Sequence, residues 1–262
     1  MAATQADKGD RFRALHGGPK AFVMPNPWDI GSARVLASHG FQALATSSGA
    51  SAAALGQRDG DIGREHALSH ARAIVSATDL PVSADLEQGF GDAPEYVAET
   101  IRLAAGVGVV GGSIEDFTGN KAQPLYPIAQ AAERVAAAAA AARDLAFTFT
   151  LTARAENYLR GNPNLDDTIR RLQAFERAGA DVLFAPGLPD LDSIRAVCSA
   201  VSKPVSFMIG MKGSSFSVAA LESVGVRRIS LGGALYRAAM SGFIAATKEI
   251  KDQGTFGFVD RF

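Results

Sequence analysis

The sequence predicts an α/β fold, a single-domain (β/α)8 barrel over residues 1–262. Short β-type runs alternate with helical patterns along the chain, which favours parallel pairing of the strands. Eight such units are present, the number that closes this barrel. No linker or change of composition divides the chain, and its hydrophobic content of 47% can form one large core.

The predicted strands are short, and most segments between them are amphipathic. The strands are predicted at residues 21–25, 41–47, 80–87, 109–116, 147–154, 180–185, 204–210 and 227–233. The amphipathic segments, several ending in a glycine typical of a helix end, cover residues 29–40, 94–108, 165–180, 191–202 and 215–225. An open doubly wound sheet is the alternative, but no G-x-G-x-x-G motif follows the first strand.

Two further segments are predicted to be helical. The alanine-rich stretch 133–144 forms an outer helix after strand 4, because alanine is the best helix former. Residues 234–253, after strand 8, form a long amphipathic helix. Its apolar residues include Leu235, Tyr236, Met240, Phe243 and Ile244.

Composition excludes several functional classes. With 26 basic and 27 acidic residues, the chain gives no reason to expect nucleic acid or an anionic membrane as a partner. A single cysteine, Cys198, excludes an internal disulfide and fits a reducing compartment. The N-terminal residues lack the apolar core of a signal peptide, and no apolar run approaches the roughly 18 residues that span a bilayer. We therefore expect a cytoplasmic protein.

Polar side chains collect at the C-terminal ends of strands 3, 4 and 5, where barrels of this kind carry their active sites. Ser83, Asp85 and Glu87 share one face of strand 3 because side chains alternate along a strand. The polar face ends at Glu115 in strand 4 and at Arg154 in strand 5. If the apolar faces meet the helices, these charged side chains converge at the mouth of the barrel.

Three converging carboxylates require a counter-charge. At about 4 Å and an effective dielectric constant near ~20, each like-charge pair costs about 4 kcal/mol. Arg154 alone cannot offset Asp85, Glu87 and Glu115, whereas a divalent cation can. Oxygen ligands with room for water favour Mg²⁺ or Mn²⁺ over zinc. The alternative is a set of solvated strand ends or a structural ion-pair network.

The remaining histidines and the cysteine give weaker signals. His66 and His70 are spaced to share one helix face, but no nearby acid completes a metal motif, and a surface or helix-packing role is favoured. Cys198 lies in an amphipathic pattern and is interpreted as a small apolar residue of an outer helix.

Four motifs, in this order, resemble the isocitrate lyase/phosphoenolpyruvate mutase superfamily. They are NPWDIGSARVLASHGFQALATSSGASAAALGQRDGD (26–61), PVSADLEQGFGD (81–92), GGSIED (111–116) and TARAEN (152–157). The resemblance implies a (β/α)8 barrel that binds Mg²⁺ and makes or breaks a C–C or P–C bond beside a carboxylate, commonly through an enolate. It also implies a homo-oligomer, a dimer of dimers that exchanges the last helix between subunits.

The resemblance also implies roles for the charged residues. Asp85, Glu87 and Glu115 would hold the metal through water, although position 87 is often aspartate in that superfamily. Arg154 would pair with an anionic group of the substrate, for which its bidentate fork suits it better than lysine. Asp59 matches an acidic residue on a mobile loop near the substrate. Asp59 and Arg154 are thus candidate catalytic residues, and Asp85 and Arg154 candidate substrate-binding residues.

Two other segments carry candidate site residues. TSSGAS matches a loop that holds the carboxylate or phosphonate of the substrate, which makes Thr46, Ser47, Ser48 and Gly49 candidate substrate-binding residues. Thr46 stands where the mutases carry tryptophan, which argues against mutase activity. After strand 4 the lyases for isocitrate and methylisocitrate have a KRCGH-type segment with a catalytic cysteine. Here that segment has no cysteine and contains Lys121, a further candidate catalytic residue.

The sequence thus predicts a Mg²⁺-dependent enzyme that acts on a small 2-oxo or 2-hydroxy di-acid as a C–C bond lyase, hydrolase or decarboxylase. P–C chemistry of the phosphonopyruvate type and a barrel that binds a metabolite without turnover are the alternatives. Because the cysteine is missing, isocitrate and methylisocitrate are expected to be poor substrates.

Overall fold

The computed structural model describes residues 3–210 and 215–261, which form a nearly closed (β/α)8 barrel, as predicted. Its parallel strands follow the order β1-β8-β7-β6-β5-β4-β3-β2, and the Ala45 amide of β2 donates to the Pro25 carbonyl beside β1 at 3.0 Å. This near-closure rules out the open doubly wound sheet. The strands are Phe22–Met24, Leu44–Ala45, Val82–Asp85, Gly111–Glu115, Thr150–Arg154, Val182–Phe184, Val205–Met208 and Val226–Ser230, numbered β1 to β8.

Helices alternate with the strands, and they include every segment predicted to be helical. The helices are Gln5–Gly17, Ile30–Ser38, Ser48–Ala54, Arg64–Ala77, Pro94–Gly106, Ile128–Arg143, Leu165–Arg177, Leu191–Ala200, Val218–Ser223 and Ala234–Gln253, numbered α1 to α10. A 3₁₀ turn follows at Gly257–Arg261. Within the described residues, no helix is long and apolar enough to cross a membrane. The prediction of one domain over 1–262 includes residues 1, 2, 211–214 and 262, which lie outside the described residues.

The predicted alternation of polar and apolar faces is confirmed for the central strands. Val82, Ala84 and Leu86 pack in the core between strands and helices, together with Phe149 and Leu151 of the β5 segment. The opposite faces point into the barrel. The apolar face of each strand is therefore covered by helices, which leaves its polar face to build the site.

Strand β3 is shorter than predicted. It ends at Asp85, and Glu87 adopts the left-handed conformation with a φ of 47°. The Glu87 carbonyl still accepts a hydrogen bond from the Glu115 amide at 2.9 Å. The chain thus turns at Glu87 without leaving its neighbour β4, so strand alternation does not set the direction of this side chain.

Helix α1 was not predicted, and it closes the N-terminal end of the barrel. Thr4 and Asp7 form a capping box at its start. Phe12 is fully buried, and a methyl group on Gly111 of β4 would lie 2.7 Å from its ring. The helix is polar overall and buries few side chains, so its hydrophobic pattern is weak.

Asn26, just after β1, connects the segment after β2 with the segment after β8. Its side-chain amide donates to the Thr46 carbonyl at 2.9 Å, and its Oδ1 accepts from the amides of Leu231 and Gly232, each at 2.9 Å. One buried side chain thereby joins the ends of β1, β2 and β8 at the rim where the site lies.

Candidate active site

A cavity of about 420 Å³ opens at the C-terminal ends of the strands. Most of the predicted site residues line it, which supports the expectation that the reactive groups gather at this end of the barrel. The predicted residues that line it are Thr46, Ser47, Ser48, Gly49, Asp59, Asp85 and Arg154.

Asp85 is oriented by the segment that precedes and begins α3. The Ser48 amide and hydroxyl both donate to Asp85 Oδ2, at 3.1 and 2.9 Å. The Thr46 hydroxyl accepts from the Asp85 amide at 2.9 Å, while Ser47 caps α3 through the Ala50 amide at 3.3 Å. The donors on Ser48 that were expected to meet the substrate thus hold a carboxylate of the chain itself. Their contact with substrate stays a prediction.

Asp59 comes from the loop after α3 and reaches the rim of the cavity. A methyl group on Gly49 would lie 3.3 Å from Asp59 Oδ2. A larger residue at position 49 would therefore push Asp59 away. The absence of a side chain at Gly49 lets this exposed carboxylate approach the start of α3.

Arg154, at the end of β5, lies among carboxylates. Its Nη1 is 3.3 Å from Glu115 Oε2 and 3.9 Å from Asp85 Oδ1, and its Nε donates to Glu156 Oε1. Arg160 contacts Glu115 Oε1 at 3.2 Å and Glu156 Oε2 at 2.8 Å. The predicted convergence of Asp85, Glu115 and Arg154 is thus observed.

Glu156 and Arg160 were missed as site residues. Glu156 is fully buried and lies two positions beyond Arg154, so continuing the alternation past the strand would have indicated it. Its backbone is held by Asp116, whose Oδ1 accepts from the Glu156 amide at 2.8 Å. Arg160 lies in an irregular turn, with its guanidinium 3.6 Å from the centre of the Phe117 ring, and no periodic pattern could have found it.

The carboxylate of Glu87 is incompletely hydrogen-bonded. Within the described residues, its buried Oε1 has no hydrogen-bond partner. Burial, together with the charges of Asp85 and Asp59, raises the pKa of Glu87 to about 7. Burial also raises the pKa of Glu115 well above its ordinary value, against the opposing effect of Arg154.

The cluster contains more acids than bases. Asp85, Glu115 and Glu156 form ion pairs with Arg154 or Arg160, whereas Glu87 forms none with either arginine within the described residues. Four carboxylates against these two cations leave two negative charges when all are ionised. In the part of the chain that the structure describes, no three Asp, Glu, His or Cys side chains are arranged to hold a metal ion directly. A cation bound by this cluster would therefore need water between it and the carboxylates.

The other polar residues considered from the sequence do not line this cavity. Lys121 is exposed in the loop after β4 and does not line the cavity. His66 is exposed, whereas His70 is half-buried with its Nε2 3.1 Å from the Trp28 carbonyl, which agrees with helix packing. Cys198 packs in α8 against the core, and burial raises the pKa of its thiol to about 11.

The sequence model of the family described as phosphoenolpyruvate phosphomutase matches residues 12–251. The chain belongs to this family. It is therefore an enzyme of the isocitrate lyase/phosphoenolpyruvate mutase superfamily, in agreement with the motifs at residues 26–61, 81–92, 111–116 and 152–157.

Similar proteins carry several names. A crystal structure from Burkholderia cenocepacia J2315, provisionally called a lyase/mutase, is 55% identical, has a TM-score of 0.96 and aligns over 98% of this chain and 92% of its own. A 2-methylisocitrate lyase from Halalkalibacterium halodurans is 28% identical over 96% of this chain and 85% of its own. The structure of a 2,3-dimethylmalate lyase is 28% identical, with a TM-score of 0.87 and coverage of 97% and 90%. Family members named as lyases thus span this whole barrel.

Proposed function

We propose that the protein is a Mg²⁺-dependent enzyme that acts on a small 2-oxo or 2-hydroxy di-acid through an enolate. The reaction would be C–C bond cleavage by a lyase, a hydrolase or a decarboxylase. The observation that carries the proposal is the excess of buried and half-buried carboxylates around Arg154, beside the cavity, with a Glu87 oxygen that has no partner among the described residues. The lyase names of relatives that cover the whole barrel support it.

The residues of the cluster fit a hard divalent cation. The donors are all carboxylates, which favour Mg²⁺, or Mn²⁺, over softer metals. Asp85, Glu87 and Glu115 would hold it through water, and the unpartnered Glu87 oxygen is the group that gains most from a nearby positive charge. When bound, such a cation supplies charge that stabilises an enolate oxygen.

The chain's own groups would bind and orient the substrate. Arg154 is fixed by Glu115 and Glu156, so it presents an ordered guanidinium to a substrate carboxylate in the cavity. Asp59, at the rim and open to water, is the group we assign to moving a proton at the leaving carbon. Lys121 lies outside the cavity and would need the loop after β4 to move before it could act.

P–C bond chemistry is the second candidate, because the matching family is described by a phosphomutase. Thr46 counts against it. This residue stands, by the family resemblance, where mutases carry tryptophan, and here it is buried and hydrogen-bonded to the Asp85 amide. Phosphonopyruvate therefore belongs among the compounds tested, with the expectation of slower turnover than for the di-acids.

The deciding experiment is a screen with Mg²⁺ of oxaloacetate, small alkylmalates, phosphonopyruvate, isocitrate and methylisocitrate, coupled to detection of pyruvate, oxalate or glyoxylate. We expect a small di-acid to be turned over and chelation of the metal to abolish the activity. If either tricarboxylate is the best substrate by kcat/KM, the interpretation of the segment after β4 is wrong.

Variants test the metal site in the same assay. Asp85→Asn and Glu87→Gln should each lower Mg²⁺ affinity and activity by at least about tenfold. Replacing a residue that holds a metal through water commonly lowers metal affinity or activity by this factor or more. Asp192→Asn, on a side chain that is 92% exposed, is the control and should match the wild type. Unchanged metal dependence in both site variants would refute the assignment.

A further inference from the structure

The two sides of the cavity differ in charge. The acidic cluster comes from the ends of β3, β4 and β5. Across the barrel, Arg228 of β8 lines the same cavity from the interior and is only 3% exposed. Arg228 has no part in the acidic cluster or in the motifs that carry the family resemblance.

The partners of Arg228 are neutral. Its Nε donates to Ser206 Oγ at 2.9 Å, and its Nη1 donates to Thr152 Oγ1 at 3.0 Å. Nη1 also lies 3.4 Å from His16 Nε2, on the helix that closes the barrel from below. Among residues 3–210 and 215–261, no ion pair between Arg228 and a carboxylate occurs.

His16 does not change this charge balance. Its Nδ1 lies 2.9 Å from the Phe12 carbonyl, which can only accept, so Nδ1 carries the proton and the Nε2 lone pair faces Arg228. Burial, followed by the charge of Arg228, lowers the pKa of His16 to about 3. Burial lowers the pKa of Arg228 to about 9, which leaves the guanidinium charged at neutral pH. A buried charge without a counter-ion is costly, and its persistence needs a reason.

We propose that Arg228 determines specificity for a second carboxylate of the substrate, which enters the cavity toward β8 and supplies the counter-ion that the chain lacks. This inference rests on the proposed function for its ligand class, a small di-acid. One carboxylate would lie on the acidic side with Arg154, and the other on the side of Arg228. A mono-acid of the same size would leave Arg228 without a counter-ion.

A second arginine lines the cavity and could compete for this role. Arg237, in the first turn of α10, is exposed, and its Nη2 donates to the Gly210 carbonyl at 2.5 Å. Water already solvates an exposed guanidinium, so Arg237 gains less from an anion than buried Arg228 does. The two arginines are therefore expected to contribute differently to the binding of the same di-acid.

The test compares the binding of L-malate and 2-hydroxybutyrate by titration calorimetry in the presence of Mg²⁺. The two acids differ only in the distal carboxylate, which is a methyl group in the second. The wild type should bind malate at least about tenfold more tightly, the range expected for a hydrogen bond to a charged group. Arg228→Met should bring this ratio close to one by weakening malate alone, and Arg228→Lys should retain part of it.

Arg227→Met is the matched control, because Arg227 is the preceding residue of β8 and faces the outside, where it contacts the Pro19 carbonyl at 3.4 Å. It should keep the wild-type ratio. Retained binding of 2-hydroxybutyrate shows that the Arg228 variants are folded. The proposal would be overturned if Arg228→Met or Arg228→Lys kept the wild-type ratio of malate to 2-hydroxybutyrate affinity. It would also be overturned by a ratio near one in the wild type, or by a ratio that is lost only in Arg237→Met.

The failure of this proposal is distinguishable from failure of the proposed function. Mg²⁺-dependent turnover of a di-acid with an Arg228-independent ratio would refute only the role of Arg228. A ratio that depends on Arg228, without turnover of any acid in the screen, would support the second carboxylate site and refute the reaction.

Discussion

Arg154 shows what a single residue contributes at the mouth of the barrel. Its guanidinium is held by Glu115 and Glu156 and remains in the wall of the cavity. Arg154→Lys keeps the charge but loses the planar fork, so we expect kcat/KM to fall by at least about tenfold in a folded protein. Steady-state kinetics and circular dichroism measure this. Arg170→Lys, on an exposed helix face, is the control. Wild-type kinetics in Arg154→Lys would mean that the arginine serves structure alone.

His16 makes stability depend on pH. Its folded pKa, about 3, lies below the ordinary value of 6.5 because burial disfavours the charged form. The unfolded chain therefore binds a proton first as the pH falls, and the free energy of unfolding decreases below pH 6.5. By pH 5 this residue alone should cost about 2 kcal/mol.

Urea titrations at pH 7.5 and pH 5 check this prediction. Buried acids such as Asp116, whose pKa burial raises to about 6, change stability in the opposite sense, so the wild type must be compared with His16→Gln. The variant should lose about 2 kcal/mol less than the wild type between these two pH values. Equal losses would show that His16 is protonated in the folded protein.

At the scale of elements, helix α1 acts as the lower closure of the barrel. Phe12→Ala should lower the free energy of unfolding by about 3–5 kcal/mol, because it empties a fully buried site beneath β4. Phe256→Ala removes a ring that is 62% exposed and should change stability by less than about 0.5 kcal/mol. Denaturant unfolding of both variants measures the difference. Similar small effects would mean that α1 only lies against the barrel.

The loop after β3 is held by a distant helix. Arg134 of α6 is 1% exposed and donates to the Gly91 carbonyl at 2.8 Å and to the carbonyls of Gln88 and Asp92. The same loop carries the left-handed Glu87 and Phe90. The conformation of this loop, which includes the direction of Glu87, therefore depends on a residue more than forty positions away. Strand periodicity cannot predict such a distant contact.

At the scale of the whole molecule, α10 is an element without a complete partner. None of its 20 residues is buried, and Phe243 and Ile244 are 61% and 50% exposed. We expect this apolar face to be covered in a homo-oligomer, a dimer of dimers, as the family resemblance implies. Exchange of the helix between subunits stays a prediction.

Light scattering at micromolar concentration tests the assembly. The wild type should behave as a tetramer, and Phe243→Glu should dissociate it at least to dimers, because a charge would be buried in the contact. Lys248→Ala, an exposed change on the same helix, should leave the mass unchanged. A monomeric wild type would refute the expectation.

The order of the strands and the faces of β3 to β5 could be read from the sequence alone. Alternation is a local property with a period of two, so Asp85, Glu115 and Arg154 could be placed at the mouth before any contact was known. The superfamily could also be identified from the sequence, because each of its motifs is a continuous stretch of the chain. These inferences required no knowledge of which distant residues meet.

Only the tertiary structure decided which groups satisfy one another. In the structure the Ser48 hydroxyl donates to Asp85, and Lys121 lies outside the cavity. Arg228 donates to Thr152, which is 76 positions away in the chain. Contacts of this kind form when the sheet curls toward closure and brings the inner faces of opposite strands together. The physical reason is that periodicity sets the face on which a side chain lies, whereas barrel closure sets the partner that it meets there.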